Sequence, residues 1–422
     1  MMYRRDFLKN TGGSLALFPF LHQLAQIAGK ENPNILLVSG WQDINIGDIA
    51  HTPGLLHILE TFMPDASIVL WKKSKGEEVR QLLNEAFPKV EIFYEKKEDN
   101  KILVNEILQE KIKWADVMIH GSGPSVVGRD NLQLWSEYTD KPFGIFGTTI
   151  QQVDEELRQL LGKAAFIYTR ETASLEVLEK EGLSGDHIAF APDATFFLNL
   201  HDRQRANAFL QEHQLQEGKY ICVIPRLRFT PYHKLKKVNW SDEKIEMVER
   251  VNAETKEKDH AKLREAMIAW VRQTGNKVLV CPEMTYQVDI MDELLIEPLP
   301  EDVKAQVIKR GYWMPGEAAS VYQSAFAVMS SECHSPIIAL TNGTPAFYIR
   351  QPTDTIKGQM YYDLDLSDWV FEIDDVSGND IATALMDIYH DYSRAKDNVA
   401  SVNDSIEKLY NERIQLIHDL IK

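Results

Sequence analysis

Short apolar runs stopped by glycine or proline recur along this chain, each followed by a polar loop and then a stretch with helical spacing. The first, Asn34-Ile35-Leu36-Leu37-Val38-Ser39-Gly40, is the continuous kind that a strand buried on both faces produces. The loop Trp41 to Ala50 leads from it into a helical stretch around Leu55–Leu59. Further strands are predicted at 66–71, 90–94, 115–120, 142–149, 166–171 and 188–195, with helices at 77–87 and from Thr172 onward. Strands alternating with helices over residues 34–197 predict a parallel, doubly wound sheet.

A polar, helical connection spans 201–218, and the alternation restarts at Lys219–Arg228. Strands follow at 277–284, 325–329 and 369–373, with one more ending at Ile349, and helices at 381–396 and 402–421. Residues 233–262 carry many charges and few apolar positions, which reads as a solvated loop and helix inserted into the second set. The pattern divides the chain into residues 1–30, a leader, then 31–205 and 206–395, two Rossmann-like α/β domains facing a cleft, and 396–422, a carboxyl-terminal helix. The cleft between the two is the expected place for a site.

Length agrees with this division, because 422 residues exceed one ordinary core. The composition, 44% apolar and 26% charged, is that of a globular protein. A net charge of −17 argues against nucleic acid or an anionic membrane as partner, since phosphate contacts need a basic surface. Cys222, Cys281 and Cys333 form no CxxC pair, so neither a zinc site nor a disulfide framework is expected, and no metal or cofactor is assigned. The opening Arg4-Arg5-Asp6-Phe7-Leu8-Lys9 matches the twin-arginine export pattern and precedes the apolar stretch Leu15–Leu21, which is too short for a permanent span. Export as a folded protein, with a periplasmic location and no stable membrane insertion, is the expectation. Cleavage after Ala28 would remove three cations and one anion and leave a charge of −19.

Candidate chemistry gathers where open α/β sheets bind ligands, at the carboxyl ends of strands. In the first loop Gly47 lets backbone come close, while Asn45 and Asp48 either cap the following helix or hydrogen-bond a sugar. The spacing is neither a dinucleotide fingerprint nor a P-loop. Gly121-Ser122-Gly123 makes a second such turn. Arg226 and Arg228 end a strand, placed either to fork a carboxylate or phosphate or to form salt bridges. Ser330-Ser331-Glu332-Cys333-His334-Ser335 reads as strand end, polar loop and helix start, where backbone N–H groups and the helix dipole favour an anion. His334 there is either a residue of a solvated capping loop or a site residue.

Taken in order, Asn45-Ile46-Gly47-Asp48, Gly121-Ser122-Gly123, Thr169-Arg170-Glu171-Thr172-Ala173-Ser174 and Pro192-Asp193-Ala194-Thr195-Phe196 resemble the polysaccharide pyruvyl transferase family. Val223-Ile224-Pro225-Arg226, Ser331-Glu332-Cys333-His334, Gly343-Thr344-Pro345 and Lys357 extend the resemblance over roughly residues 34–375. It implies a fold like two-domain B-type glycosyltransferases and transfer of an enolpyruvyl-derived group from phosphoenolpyruvate, or another small anionic donor, to two hydroxyls of a polysaccharide or oligosaccharide. On this resemblance His334 is the general acid or phosphate ligand and Arg226 the anion clamp, with Arg228 in reserve. Lys357 would contact phosphate, Ser331 would line the site, and Asn45, Asp48, Gly121 and Gly123 would face the acceptor. Glu332 departs from the pattern, standing where the family usually has arginine, and should repel a close, desolvated phosphate by a few kcal/mol. The export signal is a second departure, because phosphoenolpyruvate is a cytoplasmic metabolite, and the two together open two alternatives: an exported hydrolase or lyase of acidic or pyruvylated glycans using Glu332 and His334 as an acid–base pair, or a glycan-binding member without chemistry.

Overall fold

The computed structural model describes residues 32–99 and 101–421, so the leader lies outside the described residues. Fifteen strands follow in order. They are β1 (Asn34–Ser39), β2 (Ser67–Lys72), β3 (Glu91–Phe93), β4 (Lys97–Glu98), β5 (Lys101–Ile102), β6 (Val117–His120), β7 (Phe143–Thr148), β8 (Phe166–Thr169), β9 (Ile188–Phe190), β10 (Tyr220–Ile224), β11 (Lys277–Val280), β12 (Val307–Lys309), β13 (Ala327–Ser330), β14 (Ala346–Arg350) and β15 (Val370–Glu372). A seven-stranded sheet has the order β3-β2-β1-β6-β7-β8-β9 and a six-stranded one the order β12-β11-β10-β13-β14-β15. Every pairing within these two sheets is parallel. Both are doubly wound, and in each the order reverses beside its first strand, at β1/β6 and β10/β13, which opens a crevice at the carboxyl ends.

Alternate residues of β1 enter different cores, as a strand covered on both faces requires. Ile35 and Leu37 join a core that runs through both halves of the molecule, while Leu36 and Val38 join a second, confined to the other face of the first sheet. Only the β4–β5 hairpin, an antiparallel pair, and the short β12 carry no clear apolar run in the sequence.

Two long helices differ from the expectation. The charged stretch forms one helix, Asp242–Thr274, capped by Ser241 and closed by Gly275 at φ 71°. Its polar part is anchored: Asn252 accepts from the Phe229 amide at 2.9 Å and donates to the Phe229 carbonyl at 2.8 Å, and Asp259 accepts from Arg228 Nε and Nη2 at 2.7 and 2.8 Å. Near the carboxyl terminus the break falls at Asp391, between helices Gly378–His390 and Tyr392–Ile421, rather than between residues 396 and 402. The last helix crosses back to the first sheet, where Tyr410 Oη donates to the Asp193 carbonyl at 2.7 Å and Arg413 Nε to the Phe190 carbonyl at 2.9 Å. No helix among the described residues is long and apolar enough to cross a membrane.

Candidate functional site

The loops after β1 and β11 join the two halves directly. The Ile46 amide donates to the Glu283 carbonyl at 2.9 Å, the Thr285 amide to the Ile44 carbonyl at 3.1 Å, and Asn45 bridges Met284. Asn45 also caps the helix Ile46–Phe62, its side chain accepting from the Gly47 and Asp48 amides at 2.6 and 3.2 Å. Gly47, in the first turn of that helix, faces His334 so closely that a Cβ there would land on the imidazole. The backbone that glycine lets approach is therefore met by the catalytic candidate itself.

His334 opens the helix His334–Thr341 after β13, which places it at the switch point of the second sheet. Its ring is almost wholly buried between two carboxylates: Nδ1 lies 3.3 Å from Glu283 Oε1 and Nε2 3.7 Å from Asp193 Oδ2. Burial works against charge on the ring, but Cys333, Asp193 and Glu283 outweigh it and hold the imidazole protonated well above its ordinary range. Both carboxylates stay ionised despite burial. His51, His334 and Arg170 depress Asp193 strongly, and His334 and Ser335 depress Glu283. Glu283 is further fixed by the Ser335 amide and hydroxyl at 2.6 and 2.8 Å. Asp193 receives Arg170 Nη1 at 2.7 Å and His51 Nδ1 at 2.8 Å. Behind it, Glu171 is raised by burial and held by the Thr149 hydroxyl at 3.0 Å.

A second group lies on the other side of Cys333. Arg226 pairs with Asp354, lies 3.2 Å from Glu332 Oε2, and donates to Gln351 Oε1 at 3.1 Å. Gln287 Nε2 donates to Glu332 Oε1 at 2.8 Å. Burial pushes Glu332 up to about 7 against the pull of Arg226, so this carboxyl changes charge near neutrality. The repulsion expected from Glu332 is thus reduced, because an arginine neighbours it and protonation competes with its charge. Lys357 Nζ sits 3.8 Å from Asp354 Oδ1; burial opposes its charge, but Cys333 and Asp354 push it up to about 12. Tyr232, in the short helix Tyr232–Leu235, stands electrostatically between Asp48 of the first half and Glu332 and Lys357 of the second.

Of the sequence candidates, the structure gathers His334, Glu332, Arg226 and Lys357, with buried Ser331 in the same loop. Asp48 lies at the edge, where its carboxylate accepts from Gln42 Nε2. Gly121 packs against Ser39, and Gly123 packs against Trp41 and bridges Thr148, so both shape the first sheet's crevice. Arg228 is drawn away: Asp259 holds it, and Asp374 adds contacts at 3.1 and 2.7 Å. It locks the loop after β10 to the helix Asp242–Thr274 rather than standing beside Arg226. The residues that sequence reasoning passed over as site residues are Asp193, Glu283, Arg170, Asp354 and His51. Asp193 and Arg170 sit within motif stretches, and Glu283 follows a strand at its carboxyl end, so each had a positional signal. His51, inside an apolar helix, had none. His51, Asp193 and His334 each offer a ligand atom within 4.8 Å of one another, a set able to hold a metal ion, although the Arg170 guanidinium on Asp193 already supplies a cation there.

The sequence model of the polysaccharide pyruvyl transferase family matches residues 45–351. A search of curated proteins finds no match. Among solved structures, a glycosyltransferase from Rickettsia africae is similar at a TM-score of 0.59 with 10% identity, covering 93% of this chain and 99% of that one. The UDP-GlcNAc 2-epimerase of Neisseria meningitidis bound to UDP-GlcNAc gives a TM-score of 0.57 with 9% identity, covering 92% and 100%. Anabaena HepE in complex with UDP-glucose gives 0.54 with 11% identity, covering 92% and 98%. At such identities the likeness is one of fold: two parallel-sheet halves of the B-type glycosyltransferase arrangement.

Proposed function

The chain belongs to the polysaccharide pyruvyl transferase family, and on that premise we propose that it moves a pyruvyl group from phosphoenolpyruvate, or another small anionic donor, onto two hydroxyls of an envelope or extracellular polysaccharide as a ketal. The observation that carries this reading is that Arg226, His334 and Lys357 follow β10, β13 and β14 at their carboxyl ends, with Arg226 3.2 Å from Glu332, two residues before His334, and Lys357 3.8 Å from Asp354. Phosphoenolpyruvate needs cations for its carboxylate and phosphate and an acid for its methylene carbon. Protonation of that methylene by His334 leaves a cationic centre at the adjacent carbon. One acceptor hydroxyl adds there, the carbon–oxygen bond to phosphate breaks, and the second hydroxyl closes the ketal. The two hydroxyl protons balance the one taken up by the methylene and the one leaving with inorganic phosphate. Asp48 of the first half, with Tyr232 of the second facing it, would meet the acceptor.

Calorimetry with phosphoenolpyruvate tests the donor. Binding that falls at least tenfold in Arg226→Ala and in Lys357→Ala is expected, and no heat at millimolar donor rejects it. Ketal formation on a candidate glycan, read by the new methyl resonance, should vanish in His334→Ala. Export of the folded protein to the periplasm is part of the proposal, and a reporter active only when exported folded, fused to residues 1–35, checks it. One feature favours a second reading: Glu332 is buried between Arg226 at 3.2 Å and Gln287 at 2.8 Å, and burial pushes its carboxyl up to about 7, which suits it to alternate between acid and base. A hydrolase or lyase using Glu332 and His334 would release pyruvate from a pyruvylated glycan with no donor present, and Glu332→Gln would stop it.

A further inference from the structure

The first sheet ends in an aromatic pair that the chemistry above does not use. Trp41 follows β1 across Gly40, and His120 ends β6, so both stand where the strand order of that sheet reverses. Open α/β sheets bind ligands outside the strand ends at this point. The two rings stack with centroids 4.7 Å apart and planes 27° from parallel. His120 is fully buried, its Nε2 accepts from the Gly128 amide at 2.9 Å, and burial pushes the imidazole down to about 3, so the ring is neutral. Trp41 is fixed as firmly. Its Nε1 donates to the Ser122 carbonyl at 2.6 Å, and a Cβ on Gly123 would come within 2.8 Å of that nitrogen. The indole is nevertheless only half-buried, so this fixed aromatic ring keeps area open at the mouth of the crevice.

The charges of this lip select the ligand. Lys72 donates to Asp43 and Ser74, and Lys73 to Glu95 and Asn131, so both cations at the end of β2 are already paired. Burial, and then the carboxylates of Asp43, Glu78 and Asp48, hold the Tyr312 hydroxyl of the second half protonated above its ordinary range, so the loop after β1 presents negative charge to the cleft. Gln42, beside Trp41, donates to Asp48, whose carboxylate has further lone pairs for hydroxyl groups. A pyranose lays a face of C–H groups on an aromatic ring and turns its hydroxyl rim to such acceptors, whereas a uronate or a phosphorylated sugar would meet like charge. We propose that Trp41 is a stacking platform for an uncharged pyranose of the glycan, and so a specificity-determining residue of the cleft. Calling that sugar the acceptor rests on the transferase reading; its binding to Trp41 does not.

Fluorine NMR of the full chain labelled with fluorotryptophan, without donor, tests the platform, the Trp41 line being the one lost in Trp41→Phe. Methyl β-D-glucopyranoside and methyl β-D-galactopyranoside serve as probes. At least one should shift that line with a Kd of about 10 mM, and methyl β-D-glucuronide should bind about fivefold more weakly or worse. Trp41→Leu keeps an apolar side chain without a ring, and glycoside affinity, read by saturation transfer to the sugar, should fall about tenfold; Trp41→Tyr keeps a ring and should lose about threefold. In turnover the acceptor KM should rise about tenfold in Trp41→Leu, with the phosphoenolpyruvate KM unchanged. The Tyr variant and the glucuronide contrast decide the matter if the Leu variant fails to fold. No shift of the Trp41 line with either glycoside at about 100 mM would overturn the proposal, as would equal affinity in wild type and Trp41→Leu. Glycoside binding at Trp41 in a protein that takes no phosphoenolpyruvate supports the platform and removes the transferase reading; donor binding with a silent Trp41 line does the reverse.

Discussion

At Glu332 the environment settles the behaviour of a side chain whose type alone points the wrong way. The carboxyl faces Arg226 at 3.2 Å and takes a hydrogen bond from Gln287, yet burial still pushes it up to about 7. As pH rises through 7 the group ionises and repels an anionic donor, so donor affinity should weaken between pH 6 and 8 in wild type and hold steady in Glu332→Gln, as calorimetry at both values would show. Stability should move the same way. An acid whose folded value is raised stabilises the fold fully below the unfolded value near 4.5 and loses that contribution as pH climbs to about 7. The Gln variant should therefore gain in melting temperature relative to wild type across that window. Gly47 is as demanding for a steric reason. Because a Cβ would meet the His334 ring, Gly47→Ala should cost about 1–3 kcal/mol and lower turnover by displacing the imidazole, measurable as a denaturant midpoint and a rate.

Among elements, the helices do more than cover sheets. Ile46–Phe62 holds Pro53 and Gly54 in its buried middle, and Gly54 lets it press against the Ala194 carbonyl, where any Cβ would collide. That contact seats His51 over Asp193. The carboxyl-terminal helix Tyr392–Ile421 supports the same turn from the other side through Tyr410. Tyr410→Phe removes one of two hydrogen bonds to the Asp193 carbonyl, which keeps the Phe196 amide at 2.9 Å, so it should cost about 1 kcal/mol. It should also slow turnover more than a remote substitution of equal cost, seen by comparing melting temperature with kcat. The helix Asp242–Thr274 plays the equivalent part for Arg226, since it grips Arg228 and Phe229 two and three residues further on.

For the whole molecule, one hydrophobic core runs from β1 through the second sheet to Ile421, and the first loop hydrogen-bonds to the loop after β11. Halves joined in this way should unfold together. A single calorimetric transition is expected, shifted upward by saturating donor by about 2.7 kcal/mol at a hundred times its Kd. Two separate transitions, only one of them donor-sensitive, would show that the halves are independent and the site belongs to the second alone.

Apolar runs such as Ile35–Val38 and Ile221–Ile224, ended by glycine or proline, are enough to predict buried parallel strands, because a strand covered on both faces has no polar alternation to hide it. The same logic points to the loops after strands, and so to His334 and Arg226, since chemistry in doubly wound sheets collects at carboxyl ends, whereas Lys357 and Glu332 stand out only through the family resemblance. Pairing between distant charges is beyond that logic. Arg226 and Arg228 are two residues apart and chemically alike, and only the positions of Asp354 on one side and of Asp259 and Asp374 on the other send the first into the site and the second into the scaffold. His51 joins the site because a helix close-packed through Gly54 brings it to Asp193, a carboxylate 142 residues away. Local sequence determines which segments are strands and where loops open; the protonation and partners of the buried groups depend on which charges the two halves bring together once water is excluded, and only the tertiary structure decides that.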